Sequence, residues 1–210
     1  MPPVNQALVN EFRAKAEATN AVVREAVDLD AALNYVVEVC AVKTPCEMLA
    51  DEPEAEQGPP GPNGVPTRVR RIVAAPDLDD EHFAKLSAVC EAKGFSCIRE
   101  GLHAHLAGID VGFSMAELGV AASGTCMVNT DAEEGRLAGM LSEISVLALK
   151  KSEIYPHLPA IAEKLRARMG DSAPTYTTFI TGPSRTADIE RVAAIGVHGP
   201  LELHIILLEG

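Results

Sequence analysis

The chain has 210 residues, 47% hydrophobic and 23% charged, which suits one well-buried core and leaves little room for two substantial domains. Eighteen basic against thirty acidic side chains give a net charge of −12, which disfavours nucleic acid and anionic membrane as general partners but leaves open a small anionic ligand held by local donors. No apolar run approaches the ~20 residues that span a bilayer, and Met1-Pro2-Pro3 opens no basic, apolar leader, so a cytoplasmic protein without membrane insertion is expected.

In chain order, Val4, Leu8, Phe12 and Ala16 recur every four residues and predict an N-terminal helix over about 4–18. Val22-Val23 reads as a short strand. Asp28 or Asp30 can cap the next helix, which sets Leu29, Leu33, Val36, Val37 and Cys40 on one face. Residues 51–66, acidic and rich in proline and glycine, predict a mobile loop inside the single domain. Val69 to Ala75 then reads as a strand, followed by a helix from Asp79-Asp80 that stops at Gly94 and a strand over Phe95 to Ile98. This alternation predicts an α/β fold, an open and mainly parallel sheet with helices on both faces. Leu118–Ala122 and Cys126–Thr130 flank Ser123-Gly124-Thr125 as a hairpin-like insertion. Ile144 to Leu149 is a further strand, and His157 to Met169 a helix turning Leu158, Ile161, Ala162 and Leu165 inward. No repeat of fixed period is visible.

The richest stretch is C-terminal. A β-branched run ends at Gly182-Pro183, and Ser184-Arg185-Thr186 then reads as a helix start, where free N–H groups and the guanidinium can bind an anion. The plainer alternative is a capped helix whose Arg185 pairs with Asp188 or Glu190. A second turn, Gly196 to Pro200, holds His198 between glycines before the closing strand Leu203–Leu208; His198 can move a proton or simply bond a carbonyl. Glu117 is either a catalytic carboxylate or a surface charge. The Gly124-Thr125 turn can add N–H donors, or simply close the hairpin. His204 reads as a satisfied inward residue. His103-Ala104-His105 suggests two metal ligands on a strand but finds no third, so no metal site is assigned. The five cysteines form no C-x-x-C pair and read as buried free thiols, with no iron–sulfur cluster held by this chain alone. Nucleotide-binding G-x-G-x-x-G and Walker sequences and the hydrolase G-x-S-x-G elbow are absent from the sequence.

Residues 179 to 208, with FITGPSRTADIE and GVHGPLELHIILL, closely resemble the C-terminal signature of the lactate utilisation protein C family, the LutC/YkgG type of LUD-domain protein. Gly124-Thr125 in AELGVAASGTCMV resembles the family's central motif, with Ser123 in place of threonine. Leu141–Ser145 replaces the family's Leu-Pro and His-Ile segment, so no role carries over there. The resemblance implies a fold similar to sugar-phosphate isomerases and CoA transferases, with a ligand cleft at the carboxyl ends of the strands. It implies a component of a system that oxidises L-lactate to pyruvate, with iron–sulfur clusters on partner proteins and this chain binding substrate, docking or regulating. Gly124, Thr125, Gly182, Ser184, Arg185 and Thr186 are then the ligand-binding candidates. One alternative is an autonomous isomerase, transferase or ligase acting on a phosphorylated or carboxylated metabolite, with Arg185 on the anion and His198 or Glu117 moving a proton. Another is a purely structural subunit docking through its N-terminal helix. A homo-oligomer stays open.

Overall fold

A computed structural model describes residues 4–48, 57–170, 175–186, 194–195 and 199–209. Helix α1 (Gln6–Ala18), capped by the Asn5 side chain, buries Val9, Phe12 and Ala16, while Val4 stays exposed. It leads into β1 (Val22–Ala26) and α2 (Leu29–Val42), whose N-cap Asp28 accepts from the Ala31 amide at 2.8 Å. Leu33, Val36, Val37 and Cys40 of the expected face of α2 are buried, together with Ala32 and Val39, while Leu29 is half-buried.

Part of the segment expected as a mobile loop is paired: β2 (Gln57–Pro60) runs antiparallel to β3 (Pro66–Arg68). Prolines are tolerated there because this small ladder has two edges and few inward N–H groups to lose. Residues 61–65 turn between the two strands, and only 51–56 of that loop lie outside the described residues. The strand expected over Val69–Ala75 is shorter, as a bend at Val69-Arg70 separates β3 from β4 (Ile72–Ala74). Helix α3 (Asp80–Ala92) starts on the Asp79 cap, its chain turns at Gly94 with φ 75°, and β5 (Ser96–Ile98) follows. His103 lies in a 3₁₀ turn, Leu102–Ala104, launched by left-handed Gly101, and His105 just follows it, so the expected strand pair does not form.

Strand β6 (Ile109–Val120) is the spine. It turns back into antiparallel β7 (Thr125–Asn129), the predicted hairpin, and α4 (Glu133–Leu141) leads to β8 (Ser142–Lys150). Short β9 (Ile154–Tyr155) precedes a 3₁₀ turn over Leu158–Ile161 and α5 (Ala162–Arg168). The helix expected from His157 is therefore shorter and differently faced: Pro159 sits in the tight opening turn, Ile161 is buried and Leu158 is 53% exposed. β10 (Thr177–Ile180) pairs antiparallel with β7. β11 (Arg185–Thr186) pairs antiparallel with β12 (Ala194–Ile195), so the chain after Ser184 is extended and the expected helix start is not there. β13 (Glu202–Leu208) closes the fold.

The main sheet has the order β1-β13-β8-β6-β4-β5, parallel throughout, with β7 added antiparallel on β6 and β10 antiparallel on β7. β13 and β8 are buried on both faces, which explains their unbroken apolar runs. One face, with Val111, Phe113, Val146 and Ile206, is sealed by α2 and α3. The other face carries Leu147, Leu149, Leu203 and Ile205. There α1 packs on one part and α4, through Ala138, on another.

Candidate functional site

Between α1 and α4 no described helix covers the second face, and the β7–β10 pair arches over the gap. The result is a cleft of about 410 Å³, within the usual range for small-molecule sites. Its floor is Ser114 on β6, Ser145 and Leu147 on β8, and Leu203 on β13; Gly135, Arg136, Gly139 and Met140 of α4 form one wall. Thr130 and Thr178 from the roof bond each other at 2.9 Å, and Gly182-Pro183-Ser184 with Gly199-Pro200 close the far end. Ser145 and Leu203 stand near the starts of their strands. The cleft thus lies over the sheet face, not beyond the carboxyl strand ends as expected, because the roof comes from the hairpin inserted after β6.

Arg136 is the cation among the described residues lining this cleft. Its Nη1 donates to the Thr130 carbonyl at 2.7 Å and the Asp131 carbonyl at 3.0 Å, and its guanidinium lies 4.9 Å from the Tyr176 ring centre. No carboxylate pairs with it among the described residues, so donors on Nε and Nη2 remain for a ligand. Asp77, in the turn after β4, is exposed as a residue, but its carboxyl turns in beneath α4: a Cβ on Gly135 would stand 3.2 Å from Oδ1. Burial there raises the Asp77 pKa above the usual aspartate value, the neighbouring Ser114 hydroxyl acting in the opposite sense. Through Ser114 this carboxyl reaches the cleft floor.

The predicted site residues divide. Gly182 and Ser184 line the cleft. The Ser184 amide donates to the Pro200 carbonyl at 2.9 Å, which joins the two C-terminal turns. Thr125 lies one hydroxyl away: Ser123, Thr125 and Thr181 form a chain with both oxygen separations 2.7 Å. Thr125 itself borders a separate apolar groove with Leu158, Leu165 and Phe179. Gly124 (φ 65°) and Gly182 (φ 72°) have packing reasons for being glycine, since a Cβ would come within 2.3 Å of the Ala16 nitrogen and 2.5 Å of the Thr19 carbonyl respectively. Arg185 is exposed and gives its Nη2 to the Thr19 carbonyl at 2.7 Å, away from the cleft lining. Thr186 contributes backbone pairing to β11. Glu117 sits at a bulge in β6 and is held by Arg168 Nη1 at 2.8 Å, outside the cleft. Arg168 also holds Asp131 at 2.9 Å and Thr177 at 2.8 Å. His198 lies outside the described residues. His204 is buried, its Nδ1 against the Tyr35 hydroxyl and its Nε2 against Glu202, each at 2.9 Å. Among the described residues no three His, Cys, Asp or Glu side chains gather as a metal site, and no helix is long and apolar enough to cross a membrane.

The family profile described as LUD domain matches residues 9–208. The chain belongs to the LUD-domain family. Among curated relatives, this LUD domain is 41% identical over 101 residues to "Uncharacterized protein YkgG" of Escherichia coli (strain K12), a match covering 47% of this chain and 44% of that one. It is 33% identical over 121 residues to "Lactate utilization protein C" of Macrococcus caseolyticus (57% and 50% covered), and 33% identical over 101 residues to the Bacillus subtilis protein of the same name (47% and 42%). The chain spans about half the length of the curated relatives it matches. A crystal structure of a DUF162 family protein from Deinococcus radiodurans superposes with a TM-score of 0.57, covering 98% of this chain and 99% of that one; at 16% identity it shows the fold alone.

Sequence reasoning passed over the LUD domain's Arg136, Asp77 and Ser145. The available signal was Gly135 and Gly139 bracketing Arg136 inside a nine-residue helix. Glycine inside a helix costs about 0.5–1 kcal/mol relative to alanine, so two of them beside one arginine mark a wall kept low for another reason.

Proposed function

We propose that this LUD domain is a component of a lactate utilisation system and that its cleft receives the small anionic metabolite, with Arg136 taking the carboxylate. The observation that carries this reading is a guanidinium with unmet donors facing a mostly apolar cleft; the relatives named for lactate utilisation supply the metabolite class. Arg136 holds the anion, Leu147 and Leu203 take the methyl end, and the Ser145 and Ser114 hydroxyls bond the 2-oxygen of lactate or pyruvate. Asp77, behind Ser114 and raised in pKa, holds or accepts a proton there. The electrons of lactate oxidation pass to iron–sulfur partner proteins, with this chain binding substrate and docking. Arg136 replaces Arg185 in the anion-binding role, and His198 stays a candidate for proton transfer.

The cleft volume favours a second reading, since a three-carbon acid fills only part of about 410 Å³. In that reading the chain acts alone on a larger phosphorylated or carboxylated metabolite. Titration calorimetry with L-lactate, pyruvate and a sugar phosphate, on wild type and Arg136→Gln, tests both. Lactate or pyruvate binding that Arg136→Gln abolishes supports the first; binding of the sugar phosphate alone supports the second. Absence of any anion binding by the wild type, or binding indifferent to Arg136, removes the site.

A further inference from the structure

Arg168, the last residue of α5, lies outside the cleft lining, yet it ties the cleft mouth together. All three guanidinium nitrogens are engaged. Nε donates to the Thr177 hydroxyl at 2.8 Å, Nη1 to Glu117 at 2.8 Å, and Nη2 to Asp131 at 2.9 Å and to the Tyr176 carbonyl at 3.4 Å. One side chain thereby joins the bulge in β6, the turn between β7 and α4, and the entry to β10. A lysine could not do this, because a single ammonium lacks the planar fork that reaches several acceptors at once.

Asp131 passes the restraint on. Its other carboxylate oxygen, Oδ1, accepts from the Tyr176 amide at 2.5 Å, and the Thr130 amide donates to the Tyr176 carbonyl at 3.1 Å. The described contacts of Arg136 all fall on this assembly: the Thr130 carbonyl, the Asp131 carbonyl and the Tyr176 ring. Both carbonyls take Nη1, so the Nε–Nη2 edge is the one left for a ligand. Binding an anion side-on needs two N–H groups aimed together, and a guanidinium free to swing must be ordered at each binding event, which weakens affinity. We propose that Arg168 is a positioning residue for the cleft: through Asp131 and Tyr176 it holds Arg136 in the orientation that binds the anion. This role rests on the reading that Arg136 binds an anion there. The bond from Arg168 to Glu117 leads away from the cleft and has no part in it.

The experiment pairs calorimetry with side-chain NMR on the full chain. L-lactate, pyruvate and a sugar phosphate are titrated into wild type, Arg168→Met, Asp131→Ala and Glu117→Gln. The Arg136 Nε–Hε resonance, assigned by its loss in Arg136→Gln, is followed without ligand. Arg168→Met and Asp131→Ala should each weaken the anion that the wild type binds by about tenfold, the effect of one well-aimed hydrogen bond. Both should also shift the Arg136 resonance as the guanidinium leaves the Tyr176 ring. Glu117→Gln should change neither, although Glu117 and Asp131 are similarly exposed and each pairs with Arg168. That contrast separates positioning from general loosening, which would affect both carboxylate variants alike. Unchanged affinity and resonance in Arg168→Met, or equal losses in Glu117→Gln and Asp131→Ala, would overturn the proposal. If Arg168→Met melts too early to titrate, the two carboxylate variants decide. Anion binding that Arg136→Gln abolishes and Asp131→Ala spares removes this role alone, whereas a wild type that binds none of the three anions removes the reading of the cleft on which it rests.

Discussion

Two charged regions, one at the Asp110 corner and one at the Arg136 wall, sit in the same domain and are built oppositely. Asp110 is fully buried and saturated: it accepts from the Ile72 amide at 2.8 Å, the Cys46 amide at 3.0 Å and the Lys43 ammonium at 3.1 Å. Lys43 in turn holds Glu143 at 2.8 Å and the Thr44 carbonyl at 2.6 Å. Burial pulls the Lys43 pKa down, but Cys46, Glu143 and Asp110 outweigh it, and the group titrates above the usual lysine value. Among the described residues, Arg136 meets only carbonyls and an aromatic face. A buried charge with every donor and acceptor matched stabilises one geometry, whereas a cation with donors left over beside a cavity is arranged for something not yet there.

The sharpest way to break this contrast is Asp110→Ala, which leaves Lys43 short of a carboxylate and two buried amides unpaired. A loss of about 3–5 kcal/mol in urea unfolding is expected, the range for breaking a buried pair. Arg136→Gln should do the reverse. Stability should scarcely change, while affinity for a bound carboxylate drops by about 1.5–3 kcal/mol in calorimetry, as for hydrogen bonds to charged groups. A large stability loss with unchanged binding would place Arg136 in the same class as Asp110.

Asp77→Asn sharpens the comparison through pH. Because the folded-state pKa of Asp77 is raised, its stabilising contribution is complete below the ordinary aspartate value and is lost as pH rises through the folded value. The variant should therefore melt higher than wild type at neutral pH, with the gap closing on acidification below the ordinary aspartate range. The smallest effect is expected of Arg185→Ala, whose one described contact is an exposed hydrogen bond to a carbonyl. Its melting temperature and anion affinity should both stay near wild type.

What was legible in the sequence was local or repetitive. Asp28, Asp79 and Gly94 mark helix ends by side-chain and backbone chemistry that acts within a few residues. The unbroken apolar runs of β8 and β13 announce strands covered on both faces. β11 was not legible. Two residues carry no periodicity, and their partner, Ala194–Ile195, lies across a connection that Gly-Pro-Ser-Arg-Thr does not announce. The Ser184 turn expected in the site lines the cleft, whereas Arg185 beside it turns away to the Thr19 carbonyl. Arg185 follows the turn in sequence, whereas Arg136 reaches the cleft only because β7 and β10 fold over the sheet. That roof is a tertiary fact.

The bulge at Glu117 has a consequence for which changes the gene can tolerate. Before it, Ala116 faces the α1 side of the sheet; after it, Leu118 and Val120 face the Ile161 cluster, and it is Gly119 and Ala121 that turn toward α1. One inserted residue has exchanged the two faces of the strand, which is how β6 serves the parallel sheet in its first part and the antiparallel roof in its last. At this position the reading frame of the pleat matters more than the side chain: a swap of Glu117 for another polar residue forfeits one surface ion pair, while its deletion would turn the remainder of the hairpin inside out.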